Sequence, residues 1–403
     1  MSDKEIVIVS ACRTPFGRYC GSLKDMDYYD LGAISMKEVY KRVNVDPDVV
    51  EEVFWGVGDT SVCKDVFTPV AARQTLLKAG LPAETPSISL DKACVSAMSA
   101  VKLATMSIRL GEIDAAIAGG ATSFSQIPLI VRGTRYEGFR IGDQVMEDPC
   151  YMLRYRDFTA VSVDADNVGH EYGITREEMD EWAFRSHHNY GKAFEAGKFE
   201  NEIIPMEIPQ KRGEPISFKI DEQYRANTTM ERLSKLKPIF GTKSITAGNA
   251  PGLNDGSTAI LVMSKDKADE LGLEILGTIV GMTSLAIKPD RMPEGPGLAV
   301  KKVLQMADLS IDDIKVMEIN EAFAAVSLVS IEVLCDRDKA EAKRIQEKTN
   351  INGSAIATGH PNTASGARII MNLLYELRRQ GGGYAMGAIC GGLAQADACL
   401  IKV

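Results

Sequence analysis

The stretch SISLDKACVSAMSAVKLATMSIRLGE, residues 87–112, places a cysteine between a short apolar run and a long helix pattern. Residues 88–90 predict a buried strand, and the helix pattern begins at once after Cys94. A thiol in the first turn of a helix faces unpaired N–H groups and the positive end of the helix dipole, and both lower the pKa of a thiol. The stretch therefore predicts a strand–turn–helix unit that carries an activated nucleophile. An inert buried thiol is the alternative interpretation.

Strand and helix patterns alternate on both sides of this unit. Such alternation predicts a parallel or mixed sheet that is covered by helices on both faces. The segments are the strand patterns EIVIVSA (5–11), EEVFWGVG (51–58) and DAAIAGGATS (114–123), and the helix patterns YDLGAISMKEVYKRV (29–43) and VAARQTLLKAGL (70–81).

Residues 122–251 lose this alternation and contain more charged and aromatic residues. One clear helix pattern begins near residue 174, and Thr175 with Glu178 forms a capping box at its start. Long segments of this kind often cover a ligand, so we interpret this region as a large insertion over the sheet.

The alternation returns from about residue 275, which suggests an internal duplication of one α/β unit. Residues 350–360 are predicted to be a strand that runs into a loop. The other segments are the strands at 276–285 and 314–320, the helices at 296–309 and 365–383, and a closing pair of strands within 383–403.

Composition limits the function classes that remain. The chain has 403 residues, of which 45% are hydrophobic, an ordinary share for a globular protein. Its formal net charge of −9 argues against a nucleic-acid binder. No apolar run is long enough to span a membrane, and the amino terminus does not resemble a signal peptide, so we expect a cytoplasmic protein. The 8 cysteines contain no CxxC pair, which argues against structural zinc or a disulfide framework, and we expect no bound metal.

Three further motifs contain candidates for chemistry. His360 lies in the loop ATGHPNTASGAR just before a helix, where it is well placed to exchange protons, and a capped loop histidine is the alternative interpretation. Cys390 ends an apolar strand before two glycines, whose N–H groups can face an oxyanion. Asn320 follows a strand and opens a helix, so it either fixes a hydrogen-bond partner near the reacting centre or only caps the helix.

Taken in order, the motifs resemble the thiolase family over nearly the whole chain. That resemblance implies a five-layered αβαβα sandwich of two similar halves with a large loop domain. It divides the chain into an N-terminal half (1–121 and 252–274), a loop domain (122–251) and a C-terminal half (275–403). The matching segments are VSACRTPFGRYCGSLKD (9–25), HEYGITREEMDEWAFRSH (170–187), AGKFENEIIPMEIP (196–209), ITAGNAPGLNDGSTAILVMS (245–264), NEAFAA (320–325), GHPNTASGAR (359–368) and ICGG (389–392).

The resemblance also implies roles for these residues in the cleavage or formation of a 3-oxoacyl-CoA. Cys94 would carry the acyl group as a thioester, His360 would accept its proton, and Cys390 would be the second acid and base. Asn320, through a water, and His360 would form one oxyanion hole, and the N–H groups of Cys94 and Gly392 the other. These roles suit the chemistry, because each oxyanion needs prearranged donors. Coenzyme A would be a co-substrate and no cofactor would be bound permanently.

Departures from the family pattern concern the substrate side. A Tyr-His-Met-Gly loop of the acetoacetyl-CoA-specific branch aligns with residues 159–162, where Ala160 and Val161 replace the histidine and methionine. Pro251 replaces a serine that commonly contacts pantetheine, and Glu294 lies in a segment that is usually apolar. Arg154, Arg156 and Arg225 are candidates to pair with a substrate carboxylate or a CoA phosphate. The candidate substrate and CoA contacts are Arg225, Phe240, Ala250, Pro251, Phe323, Ala160, Val161 and Glu294.

These departures suggest a bulky, aromatic or dicarboxylic acyl group, as in benzoylsuccinyl-CoA thiolase, a class that is known with a small zinc-finger-type accessory subunit. An ordinary acetoacetyl-CoA thiolase (acetyl-CoA C-acetyltransferase) remains the main alternative. A ketosynthase-like enzyme is less favoured because cysteine occupies the third catalytic position, and a non-catalytic relative because Cys94 and His360 are both present. The resemblance further suggests a homodimer or a tetramer, and the sequence does not set the direction of the reaction.

Overall fold

The computed structural model describes residues 4–403 except 59–69, 140, 152, 154, 156 and 211. In the described residues the strands are β1 Ile6–Arg13, β2 Gly17–Arg18, β3 Glu52–Val57, β4 Ser87–Leu90, β5 Ala115–Thr122, β6 Met206–Ile208, β7 Ile216–Phe218, β8 Asn254–Ser264, β9 Gly277–Ala286, β10 Ile314–Ile319, β11 Tyr384–Cys390 and β12 Gln395–Lys402. The helices are α1 Tyr28–Lys41, α2 Ala71–Ala79, α3 Ser96–Leu110, α4 Thr134–Glu137, α5 Val161–Glu171, α6 Arg176–Glu195, α7 Met230–Ser234, α8 Lys265–Glu270, α9 Gly295–Ala307, α10 Ala324–Leu334, α11 Lys339–Glu347, α12 Ala355–Thr358 and α13 Asn362–Arg379.

Two half-sheets with similar strand patterns form the centre of the molecule, and the first has one additional parallel edge strand, β4. The first has the order β4-β3-β5-β8-β1 and the second the order β10-β11-β12-β9. In each, a parallel pair (β3 with β5, β10 with β11) continues into antiparallel neighbours. A short antiparallel contact between β1 and β9 joins the halves. This repetition agrees with the duplication that the sequence pattern predicts.

Helices cover both half-sheets and give the predicted five layers. One apolar cluster packs α1 and α2 on the outer face of the first half-sheet. A second places α3 and α13 between the half-sheets, and a third packs α9 and α10 on the outer face of the second half-sheet. The segment Ala93–Leu110 is apolar and long enough to cross a membrane, but here it forms a core helix between the two half-sheets.

The strand sequences explain why both faces of each half-sheet are covered. Along β12, Ala398 and Leu400 point into the outer cluster, whereas Cys399 and Ile401 point into the middle cluster. Successive side chains of a strand alternate between faces, so a run that is apolar at every position needs a partner layer on each side. β1 is buried at every residue for the same reason.

Two predictions about local structure are wrong. Residues 87–90 form a strand, but Ile88 is 43% exposed, because β4 pairs only with β3 and lies at the edge of the described sheet. Residues 350–360 form turns and the short helix α12 instead of a strand. Gly353 has a φ of +76°, which bends the chain away from an extended path before that helix.

The region between β5 and β8, called the covering region below, is anchored by a buried ion cluster. α6 begins at the predicted capping box of Thr175 and Glu178. Arg13 of β1 reaches this region, where its guanidinium bonds both carboxylate oxygens of Asp221 at 2.7 and 2.9 Å and Glu202 at 3.3 Å. All three side chains are fully or almost fully buried, so the cluster fixes the loop region to the first half-sheet.

Candidate active site

One cavity of about 230 Å³ contains the predicted catalytic residues Cys94, His360 and Cys390. Loops from both halves and from the covering region meet around it. The described residues that line it include no lysine, arginine, aspartate or glutamate. The described lining is therefore uncharged and largely apolar, and its polar side chains besides the predicted catalytic residues are Tyr155, Ser162 and Asn362.

The nucleophile turn holds Cys94 at the start of α3. Ala93 has a φ of +52°, an unusual conformation for a residue with a side chain, and it opens a short 3₁₀ helix, Ala93–Val95. Ser96 stabilises the turn, because its hydroxyl donates to the Ala93 carbonyl at 2.6 Å and accepts from the Lys92 N–H at 2.8 Å. Backbone strain of this kind persists where the surrounding structure requires it, as at a reactive centre.

His360 lies directly opposite the thiol. Its Nε2 is 3.1 Å from Cys94 Sγ, and its Nδ1 is 2.7 Å from the hydroxyl of Ser365 on α13. Ser365 donates its only hydroxyl proton to the Pro361 carbonyl at 3.1 Å, so it accepts a hydrogen bond from Nδ1–H. The neutral imidazole therefore carries its proton on Nδ1 and presents a lone pair on Nε2 to the thiol.

The protonation states differ from the prediction that the helix start lowers the pKa of Cys94. Burial raises the pKa of Cys94 to about 12, although its own backbone N–H acts in the opposite direction. Burial also lowers the pKa of His360 to about 4. No described residue that lines the cavity is a cation, so desolvation outweighs the local effect of the turn. The resting pair is a thiol beside a neutral imidazole.

Replacing Ser365 with alanine should lower kcat by about tenfold with a small change in KM, because the imidazole loses the partner that fixes its tautomer. Steady-state kinetics of the cleavage reaction that the family resemblance implies provide the measurement. Ser35→Ala is the matched control, since Ser35 is a buried serine on α1, outside the cavity. Equal effects of the two substitutions on kcat would contradict the positioning role of Ser365.

Cys390 ends β11 and is only 2% exposed. Burial, the largest cause, raises its pKa well above the ordinary range, and the nearby Cys94 adds to the rise. Gly391 lets the nucleophile turn approach, since a side-chain Cβ there would lie 2.8 Å from Val95 and 2.9 Å from the Lys92 carbonyl. Gly392 begins a 3₁₀ turn, so its N–H is one of the unpaired groups at a helix start.

Asn320 is fully buried beside these loops. Neither the oxygen nor the nitrogen of its side-chain amide has a hydrogen-bond partner among the described residues. A buried amide without partners is unfavourable, so this side chain suits a bound water or substrate group. The adjacent Glu321 is different, because it accepts from Trp182, Ser186, Asn350 and the Ile356 N–H and thereby fixes the loop.

The predicted substrate contacts divide into two groups. The cavity lining includes five of them, namely Val161, Phe240, Ala250, Pro251 and Phe323. Three others are not part of it. Ala160 is buried at the start of α5, Arg225 donates its backbone N–H to His187, and Glu294 is paired with Arg291 and Tyr172.

These contacts explain why Glu294 is not available to the acyl pocket, since its carboxylate is already paired with its own neighbours.

Arg154 and Arg156 lie outside the described residues. Sequence reasoning missed Tyr155 and Phe124, which line the cavity, and Ser365. The position of Ser365 in the first turn of the helix that follows His360 is a weak indication in the sequence that it contacts the imidazole. Tyr155 lies in a segment without periodicity and has no such indication.

Comparisons with known proteins agree with this geometry. The family model "Thiolase, N-terminal domain" matches residues 6–266, and "Thiolase, C-terminal domain" matches residues 273–403. An acetyl-CoA acetyltransferase of Cupriavidus necator is 40% identical over 390 residues, which cover 96% of each chain.

Solved structures give the same result. Human mitochondrial 3-ketoacyl-CoA thiolase superposes with a TM-score of 0.92 at 34% identity, covering 99% of this chain and 98% of that one. A structure of the same human enzyme in complex with CoA superposes with a TM-score of 0.91 at 35% identity, with the same coverage. The chain belongs to the thiolase family of acyltransferases.

Proposed function

We propose that this thiolase cleaves or forms a 3-oxoacyl-CoA through an acyl-thioester on Cys94, with coenzyme A as co-substrate and without a permanently bound cofactor. The observation that carries the proposal is the chain of contacts from Ser365 through His360 to Cys94, in one cavity with Cys390. A thiol, a base beside it and a second thiol are the groups that a two-step acyl transfer needs.

In the first half-reaction, Cys94 Sγ attacks the 3-oxo carbon while His360 Nε2 accepts the thiol proton. The carbon–sulfur bond forms and the oxo oxygen becomes an alkoxide. The carbonyl then re-forms as the bond between C2 and C3 breaks, and the electron pair passes to the thioester as an enolate. Cys390 donates its proton to C2, so a shorter acyl-CoA leaves and the acyl group stays on Cys94.

In the second half-reaction, the Cys390 thiolate accepts the proton of the CoA thiol. The CoA sulfur attacks the acyl-thioester, and collapse of the intermediate expels the sulfur of Cys94. His360 returns its proton to that sulfur, which restores both groups. Condensation is the same sequence in reverse.

Each oxyanion in this sequence has its own donors in the proposal. Protonated Nε2 of His360 and a water held by Asn320 stabilise the enolate oxygen, and the unpaired amide of Asn320 supports this role. The N–H groups of Cys94 and Gly392 stabilise the alkoxide, and both belong to the first residues of 3₁₀ helices.

The proposal for the substrate is a bulky or aromatic acyl group. An apolar cavity of about 150 Å³ is enough to hold benzene, and this cavity has about 230 Å³ with Phe124, Phe240 and Phe323 in its lining. Benzoylsuccinyl-CoA is an example, because its benzoyl carbon is the 3-oxo carbon that Cys94 would attack. A carboxylate on the acyl group itself has no cation opposite it among the described lining residues.

Acetoacetyl-CoA is the second candidate, because relatives such as that of Cupriavidus necator are named acetyl-CoA acetyltransferase. CoA-dependent thiolysis of acetoacetyl-CoA, a medium-chain 3-oxoacyl-CoA and an aryl 3-oxoacyl-CoA separates the two. The proposal expects the highest kcat/KM for the aryl substrate. Efficient cleavage of acetoacetyl-CoA alone would establish the ordinary activity.

Replacing Val161 with methionine should narrow the acyl pocket. Overpacking costs about 1–3 kcal/mol, so we expect kcat/KM for the aryl substrate to fall about tenfold or more while acetoacetyl-CoA changes less than about threefold. Val163→Met is the matched control, since Val163 lies on the same helix but is not part of the lining. Equal losses for both substrates would contradict this account of the pocket.

The remaining parts of the proposal rest on the family resemblance. They are the division into halves 1–121 with 252–274 and 275–403 around a loop domain 122–251, the cytoplasmic location, and assembly as a homodimer or tetramer. Among the described strands, β4 has a neighbour on one side only, which supports assembly because an unpaired strand edge is suited to pairing with another copy. A zinc-finger-type accessory subunit remains part of the aromatic-substrate hypothesis.

A further inference from the structure

Tyr155 extends from the covering region into the catalytic cavity. It lies in an irregular segment before α5, and its ring lines the cavity together with Cys94 and Cys390. Its hydroxyl lies close to Gly392, where only a glycine leaves room for it, because a Cβ added to Gly392 would lie 2.4 Å from the Tyr155 oxygen and 3.2 Å from the Ala93 Cβ. The hydroxyl therefore rests against the glycine loop, beside the nucleophile turn.

The hydroxyl of Tyr155 is a neutral hydrogen-bond donor in this position. Burial raises its pKa to about 12, and nearby Cys94, Asp91 and Cys390 add to the rise. Within the described part of the chain, no side chain or backbone group forms a hydrogen bond with it. A tyrosine hydroxyl in an apolar setting normally has a partner, so its donor is open to a group that enters the cavity.

This hydroxyl lies on the side of the cavity where the proposed mechanism places the acyl group. Gly392 contributes one of the two N–H groups assigned to the alkoxide, and the Tyr155 oxygen touches that same residue. A donor here adds to the stabilisation of negative charge only if it points to the oxygen on the acyl carbon. The low dielectric of the apolar cavity makes such a bond stronger than it would be in water.

We propose that Tyr155 donates a hydrogen bond to the oxygen of the acyl group on Cys94, as a third donor beside the N–H groups of Cys94 and Gly392. This inference rests on the proposed thiolase reaction. Tyr155 keeps its proton throughout, so it stabilises the alkoxide in both half-reactions without taking part in proton transfer. It is thus a catalytic residue that the covering region supplies to a site built by the two halves.

The first test is Tyr155→Phe, which removes the donor and keeps the ring. We expect kcat to fall about 10- to 100-fold, somewhat less than the loss of a sole oxyanion donor, with KM changed less than about threefold on every substrate that the wild type cleaves. The melting temperature and the rate at which iodoacetamide alkylates Cys94 should stay at the wild-type values. Tyr40→Phe is the matched control, since Tyr40 donates to the Ala79 carbonyl in the outer helix layer.

A double-mutant cycle tests the geometry without relying on turnover alone. Gly392→Ala places a methyl group against the Tyr155 hydroxyl and should lower the melting temperature. The same substitution in the Tyr155→Phe background should lower it less, because the closest atom is gone. Additive effects would show that the hydroxyl does not lie on Gly392 and would overturn the inference.

The kinetic outcomes separate this inference from the proposed function. Absence of thiolysis by the wild type on every substrate would count against the thiolase proposal itself. An active wild type with Tyr155→Phe within twofold of it would overturn only the role of Tyr155. A loss confined to the aryl substrate would also overturn it, because Tyr155 would then shape the pocket without stabilising the alkoxide.

Discussion

Replacing Cys94 with alanine should abolish thiolysis, with kcat reduced by about 10⁵-fold or more, the scale seen when the nucleophile of a catalytic unit is removed. The reason is geometric and chemical. Cys94 Sγ is the sulfur that lies 3.1 Å from the base His360, and Cys390 lacks such a base in the described contacts. Steady-state thiolysis provides the rate, and intact-mass spectrometry after addition of acyl-CoA should show no acyl adduct on the variant.

The fold of this variant should be unaffected, because the side chain faces a cavity and its loss leaves no new void in the core. We expect the free energy of unfolding to change by less than about 1 kcal/mol. Cys335→Ala is the matched control, since Cys335 is a buried cysteine at the end of α10, away from the cavity. An acyl adduct on Cys94→Ala that equals the adduct on Cys335→Ala would assign the nucleophile to another residue.

The architecture could be predicted because the strands are apolar at nearly every position. Runs such as residues 5–11 and 384–390 require a layer on each face, which predicts helix-covered sheets, whereas the five-layered αβαβα order was implied by the family resemblance. The edge position of β4 was not predicted, because the alternation of serine with Ile88 and Leu90 does not show whether the strand has one neighbour or two. Strand pairing joins residues far apart in sequence, such as Val7 with Thr278, and no local pattern encodes it.

In the site too, features that short sequence motifs determine could be predicted, whereas features that depend on tertiary contacts could not. Cys94, His360 and Cys390 lie in short motifs that the flanking residues make recognisable in the sequence. The structure brings the three side chains into one cavity. The pKa of Cys94 was predicted in the wrong direction, because the helix start is local whereas the cavity is formed by segments that are far apart in the sequence. Tyr155 was missed for this reason too, since only the folded chain places it against Gly392.

These protonation states also define how the nucleophile is activated. A thiol with a raised pKa beside an imidazole with a lowered pKa holds no stored thiolate. The proton must move to Nε2 as the sulfur attacks, so the catalytic advantage depends on the 3.1 Å contact and on the tautomer that Ser365 fixes.

Replacing His360 with asparagine should therefore lower kcat by about 10⁴-fold, the upper range for loss of a general base. The pH dependence should change as well. Because the pKa of His360 is lowered to about 4, it stays a neutral base from pH 8 to pH 5 in the wild type. An imidazole with the ordinary pKa of about 6.5 would lose roughly 30-fold of its basic form at pH 5.

In the variant no described side chain replaces His360 as a base beside Cys94, so we expect Cys94 to ionise to solvent before it attacks. Its residual rate should rise about tenfold per pH unit up to at least pH 9, since the pKa of the thiol lies near 12. His188→Asn is the matched control, because His188 is an exposed histidine of α6 that stacks on Phe184. A residual rate that is flat between pH 6 and pH 9, or a loss of less than tenfold, would mean that another group accepts the Cys94 proton.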